Sequence, residues 1–101
     1  MIDRVKENEE KLDEITVAIN DVKSSLDVLE SLRNDIVDIN KYYGSNLWFE
    51  DISNFESKEI TCLKAGVLSE DAIWNMDESL KDLIIRMDKL KEIIIRSIKG
   101  E

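Results

Sequence analysis

Apolar residues recur at alternating intervals of three and four through the first part of the chain, from about Asp3 to Lys41. This spacing places them on one side of an α-helix, as in helices that pack lengthwise against another helix. At about 1.5 Å per residue, such a helix would extend for roughly 58 Å, which is typical of a helical hairpin or a coiled coil. The seam residues are Val5, Leu12, Ile15, Ile19, Val22, Leu26, Leu29 and Ile36.

Two polar residues, Arg33 and Asn40, interrupt this seam. Arg33 either extends its guanidinium past the seam into water or makes a polar contact that fixes the register against a facing helix. A hairpin would have its turn between Gly44 and Ser69. Arg33 would then lie level with the acidic stretch 77–82, so an ion pair there is the specific form of the second alternative.

The middle of the chain, from Tyr42 to Asp71, contains residues that end one helix and begin another. Gly44 is placed to end a helix in the left-handed conformation, and the Ser45 hydroxyl can then accept a backbone N–H from the next helix. We predict a short helix from Asn46 to about Glu56. Asp51 would face outward on it, and its apolar side would consist of Leu47, Trp48, Ile52 and Phe55.

Residues 57–68 have the weakest pattern. We interpret them as a loop with one helical turn, closed by Gly66. The single cysteine, Cys62, has no neighbour that would stabilise a thiolate, so we expect it to be a small buried apolar residue.

The third helix is predicted over about residues 70–98, with Ser69 as its N-cap. Leu68 and Ile73 have the spacing of a hydrophobic staple around that cap. Gly100 follows the helix as a stop. The apolar seam continues through Met76, Leu80, Leu83, Met87, Leu90 and Ile94.

These elements predict an all-α fold in a single domain, residues 1–101. The two long helices would form an antiparallel hairpin, with the short helix and the loop packed across the connecting end. We expect the aromatic residues of the middle to form the small core that holds this linker, rather than a ligand pocket. They are Tyr42, Tyr43, Trp48, Phe49 and Phe55.

Isoleucines surround the C-terminal part of the third helix instead of keeping to one side. A helix that is apolar all round is normally buried, so a second copy or another protein is expected to cover it, with a frayed terminus as the alternative. Ile85 and Ile95 are the candidate contact residues. Trp74 lies on the face of Ile85; we expect it to pack beneath the linker, and a contact site is the alternative.

The net charge of −9 argues against general nucleic-acid binding and against docking to an anionic membrane. A solvated surface is the simplest explanation of this charge, and a surface that binds a basic partner or imitates DNA is the alternative.

The residues of the usual catalytic and metal sites are missing from the composition. The chain has no histidine and one cysteine, which excludes histidine-based triads and zinc sites of the Cys/His kind. The three glycines are too far apart for a phosphate loop. Solvated faces and helix N-termini explain the 23 acids better than a catalytic or metal site does. We therefore expect no enzyme activity and no cofactor.

A single cysteine cannot form an internal disulfide, which favours a reducing compartment. The N-terminal MIDRVKENEE has no apolar run of the kind found in a signal peptide, and no stretch approaches the roughly 20 apolar residues of a spanning helix. These features predict a cytoplasmic protein.

Two strings in the middle of the chain, YYGSxxWxxD at 42–51 and GVLSED at 66–71, resemble the family called domain of unknown function 4298. The family consists of short helical proteins of bacteria and their phages, and the resemblance would cover nearly all of the chain. It implies a small α-helical protein without an assigned activity, and it lends no catalytic residues. Family members often have a proline before the GVLSED string, whereas this chain has none.

We therefore expect a non-enzymatic protein that binds a protein partner, with a homodimer as one form. The alternative function is an inhibitor encoded by a phage or mobile element, which would bind a host defence protein through an acidic, DNA-mimicking face.

Overall fold

The protein is helical in every regular element that its structure describes. The structure, a computed structural model, describes residues 1–58 and 65–101, without the side chains of 56–58. This confirms the all-α prediction. The helices are α1 (Ile2–Ser31), α2 (Arg33–Tyr42), α3 (Asn46–Lys58) and α4 (Ala72–Ile98), with a 3-10 turn at Gly66–Leu68.

The chain divides into two compact units, Met1–Asp38 and Ile39–Glu101. The antiparallel hairpin expected from the sequence would join helices of both units, as would the ion pair expected for Arg33. Both stay predictions. The prediction for Cys62 falls outside the described residues.

In the first unit, the predicted long helix is interrupted at Leu32. The Ser31 hydroxyl donates a hydrogen bond of 2.6 Å to the Val28 carbonyl, which would otherwise accept the Leu32 N–H. That N–H instead donates to the Leu29 carbonyl, three residues back, at 3.1 Å. Because this bond competes for the carbonyl that the Leu32 N–H would use, we expect Ser31 to be the cause of the break between α1 and α2.

The second unit contains the buried core. Among residues whose burial is described, that core consists of Trp48 and Ile73, which are 5% and 4% exposed. The 3-10 turn contacts both α3 and α4 and so joins the helices that carry these two side chains. Apolar and aromatic side chains of the same unit are half-buried: Ile39, Tyr42, Tyr43, Ile52, Phe55, Val67, Leu68, Met76 and Leu80.

One prediction at the start of α4 is wrong. Ser69 is not the N-cap, because α4 begins at Ala72 after Asp71, and the Ser69 hydroxyl accepts the Asp71 N–H at 3.3 Å. A serine bonded to the N–H two residues on holds a turn, so the helix begins later than the sequence suggested. The loop predicted over 57–68 includes residues 59–64, which lie outside the described residues. Gly66 begins the 3-10 turn, whose hydrogen bond runs from the Ser69 N–H to the Gly66 carbonyl at 3.0 Å.

Candidate functional site

The aromatic residues of the second unit gather around Trp48. Its ring lies edge-on to Tyr43 at 5.1 Å between centroids and to Phe49 at 4.9 Å. Its indole Nε1–H donates to the Val67 carbonyl at 2.9 Å. We call Tyr42, Tyr43, Trp48 and Phe49 the Trp48 cluster. Edge-on rings and a satisfied indole N–H are what a buried tryptophan needs, so Trp48 has the geometry of a core residue. Phe49 is 59% exposed, so the prediction that it belongs to the core is wrong.

The turn between α2 and α3 places this cluster. Gly44 has φ +77°, the left-handed conformation predicted for the residue that ends the helix. The Ser45 hydroxyl accepts the Trp48 N–H at 3.3 Å, as expected of an N-cap. The two residues therefore end α2 and begin α3 at the spacing that brings Trp48 back over Tyr43.

The two tyrosine hydroxyls connect α2 to the elements that follow it. Tyr43 donates to the Glu70 carbonyl, just before α4. Tyr42 donates to the Asp51 carboxylate at 2.5 Å. This hydrogen bond raises the pKa of the Tyr42 phenol above its ordinary value of 10.0, and desolvation and the charge of Asp51 act in the same direction. Asp51 is exposed, as the sequence predicted, and its carboxylate also accepts the hydrogen bond that connects α3 to Tyr42.

A further contact joins α2 to α4. The Asn40 side-chain amide donates to the Asp77 carboxylate at 3.0 Å. The sequence marked Asn40 as a break in the seam and marked 77–82 as the level of a polar contact, but it assigned that contact to Arg33. A polar residue at a seam position is a known device for fixing register, and this was the signal that could have identified Asn40.

One prediction about burial on α4 is wrong. Trp74 is 59% exposed, so it does not pack beneath the linker as expected. Ile85 and Ile95, the candidate contact residues, are 55% and 45% exposed. The structure therefore brings Tyr43, Ser45 and Trp48 together with Asp51 and Val67, and leaves these three residues of α4 on the surface.

What the cluster can do chemically follows from its partners. Its hydroxyls and its indole N–H are used in hydrogen bonds within the unit, which leaves their donors engaged rather than directed at a ligand. In residues 1–58 and 65–101, there is no group of three or more His, Cys, Asp or Glu side chains that could hold a metal ion. Within the same ranges, no helix has both the length and the apolar character needed to cross a bilayer.

These features define a class of small all-helical protein, in which an aromatic cluster holds the beginning of a long amphipathic helix. The chain belongs to the family described as Domain of unknown function (DUF4298), whose model matches residues 5–90. The resemblance expected from the sequence is thereby confirmed, and both motif strings lie inside the matched range. No curated protein and no solved structure matches the chain.

Proposed function

We propose that the protein is a non-enzymatic cytoplasmic interaction protein that presents α4 to another polypeptide chain. The observation that carries this proposal is the change in exposure along one side of α4. Ile73, at its start, is 4% exposed, whereas the later residues of the same seam are 40–48% exposed. We call these later residues the α4 seam: Leu83, Met87, Leu90 and Ile94.

The apolar surface is wider than the α4 seam alone. Ile84 and Ile93 lie on its two flanks and are 65% and 58% exposed, and Ile98 continues it at 81%. Single exposed aliphatic residues are ordinary, but a continuous apolar strip on one helix is characteristic of a binding surface. Covering a half-exposed aliphatic side chain contributes on the order of 1 kcal/mol, so the strip supplies several kcal/mol to a partner that fits it.

The role of the Trp48 cluster in this proposal is to hold the beginning of α4 in place. Tyr43 of the cluster contacts the chain just before α4 through the Glu70 carbonyl, and Asn40 of α2 contacts the first turns of α4 through Asp77. These contacts fix the beginning of the helix within the second unit. The exposed strip that follows then has a rigid attachment, which lowers the entropy cost of binding.

A second candidate function rests on the charge of α1. This helix has nine acidic and four basic residues. All thirty of its residues are described, and none is buried. Such a surface could occupy the nucleic-acid site of a basic protein, as an inhibitor encoded by a phage or mobile element against a host defence protein would. Binding through it would weaken steeply as salt rises, whereas binding through the α4 seam would change little.

The test places a photo-crosslinking residue at Leu90, with the same residue at Ile85 as the control. Ile85 has similar exposure but lies on the side of α4 opposite the α4 seam. We expect a protein adduct from position 90 and little from position 85 when the variants are made in the native host. Failure of both positions to form an adduct would overturn the proposal. If the crosslinking is repeated in host lysate, adducts that no longer form as the salt rises from about 0.1 M to 0.5 M would favour the charged surface instead.

A further inference from the structure

The α4 seam has the length that a pair of helices needs. Its four residues, Leu83, Met87, Leu90 and Ile94, are 40–48% exposed. They extend over about three turns of one helix, so a second α4 can cover them along their whole length.

Charge decides which helix can pair with itself. On α1 the nine acids outnumber the four bases, so two copies of α1 side by side would repel each other. On α4 there are five acids and five bases, and two copies bring no net charge together. Self-pairing through α4 is the arrangement that the charges allow.

Two basic residues beside the α4 seam decide the orientation. In a parallel pair of helices, residues on the two flanks meet at an offset of five, so Arg86 of each copy would face Lys91 of the other. Two like-charge contacts would result. In an antiparallel pair each flank of α4 faces the same flank of the second copy. Arg86 then lies beside Ile93 of the second copy, and Lys91 lies beside Ile84.

The antiparallel contacts are favourable in packing as well as charge. Ile84 and Ile93 are 65% and 58% exposed in the single chain. The long aliphatic stems of Arg86 and Lys91 can cover these isoleucines while their charged ends stay in water. The apolar strip on both flanks of the α4 seam is then covered without burying a charge.

We propose that two copies of the protein pair through the α4 seam in antiparallel orientation, across a two-fold axis between Met87 and Leu90. Leu83 packs against Ile94 of the second copy, and Met87 packs against Leu90. Two-fold symmetry repeats each layer, which gives four layers of apolar side chains. This inference rests on the proposed function and specifies a second copy as the chain that covers α4.

The first measurement is the mass of the pure protein by light scattering across the micromolar range. We expect about 23 kDa for the natural sequence, twice the 11.7 kDa of one chain. Leu90→Lys should give the mass of one chain, because it places a charge in the centre of the interface. Ile85→Lys adds the same charge to the opposite side and should stay dimeric. Far-UV circular dichroism checks that both variants remain helical.

The second measurement is the distance between two spin labels at Ser97→Cys, on the seam side of α4, in a Cys62→Ser background. In the antiparallel pair the two labels are 17 residues apart along the helix axis, which corresponds to roughly 25 Å. In a parallel pair they would lie level with each other across the interface, at the interaxial distance of roughly 10 Å. A distance near the shorter value would overturn the antiparallel arrangement.

The experiments distinguish failure of the dimer proposal from failure of the proposed function. A monomeric mass at 100 µM, or a Leu90→Lys variant that stays dimeric, would overturn the pairing. If the photo-crosslinker at Leu90 then joins a different protein, the proposed function stands with another partner. If it joins no protein, both proposals fail.

Discussion

The side chains of the Trp48 cluster and those of α1 make different kinds of hydrogen bond. In the cluster, side chains bond to groups 9 to 27 residues away in the chain. In α1, the described side-chain hydrogen bonds run to carbonyls three or four residues back, as from Asn8 to Arg4 and from Thr16 to Leu12. Bonds of the second kind shape a helix but cannot join it to a neighbour. Within the second unit, hydrogen bonds of the first kind connect separate elements around Trp48 and Ile73.

The largest expected effect is the loss of Trp48. Trp48→Ala removes the main buried ring of the second unit and its hydrogen bond to the Val67 carbonyl, at a cost of about 3–5 kcal/mol. A cost of that size can unfold a small core outright. Urea denaturation followed by near-UV circular dichroism would measure it. We expect the near-UV signal to disappear while much of the far-UV helical signal of α1 persists.

Trp74 provides the matched control because it is the other tryptophan and is 59% exposed. Trp74→Ala should change the free energy of unfolding by no more than about 0.5 kcal/mol. If the two substitutions had similar effects, the Trp48 cluster would not be the core of the second unit.

A smaller effect is expected at the turn that positions the cluster. Gly44→Ala forces a side chain into the left-handed conformation at φ +77°, which costs about 1–2 kcal/mol although no atom lies within 4 Å of the added carbon. Gly66 also has open space around it and has no positive φ. Gly66→Ala should therefore leave stability unchanged or raise it by up to about 1 kcal/mol. Equal losses of stability in the two variants would contradict this account of Gly44.

The sequence predicted local features well and cross-element contacts poorly. Gly44 and Ser45 carry their conformations in their own chemistry, so their roles as helix stop and cap could be predicted. Asn40 and Asp77 are 37 positions apart, and no periodicity identifies which of several polar residues will meet. The start of α4 was placed too early, because a serine before two acids has the same pattern whether it caps a helix or holds a turn.

Exposure was harder to predict than helix position. The seam residues of α4 have the same spacing before and after Leu80, but packing against the 3-10 turn covers the early ones. The spacing alone identifies an apolar side and does not show what covers it. For the same reason Trp74 was expected to be covered and is not.

A still smaller effect is expected from the Tyr42 hydroxyl. Because the pKa of Tyr42 is raised in the folded protein, its neutral form is favoured by folding. The stability from this hydrogen bond should be complete below pH 10 and should be lost as pH rises through the folded-state pKa. Tyr42→Phe should lower the unfolding midpoint slightly at neutral pH and remove this part of the alkaline loss. Thermal unfolding from pH 7 to pH 11 would test it, and an unchanged alkaline profile in the variant would contradict it.

The smallest effect is expected in α1, where Ser31 separates two helices. Ser31→Ala frees the Val28 carbonyl to accept the Leu32 N–H, and alanine is also the better helix former, by about 0.5 kcal/mol. Amide hydrogen exchange at Leu32 should slow, because its N–H would enter a regular helical bond. Ser25→Ala makes the same change in helix propensity in the interior of α1 and should leave exchange at Leu32 nearly unaltered. If Ser31→Ala also left it unaltered, the serine would not be the cause of the break.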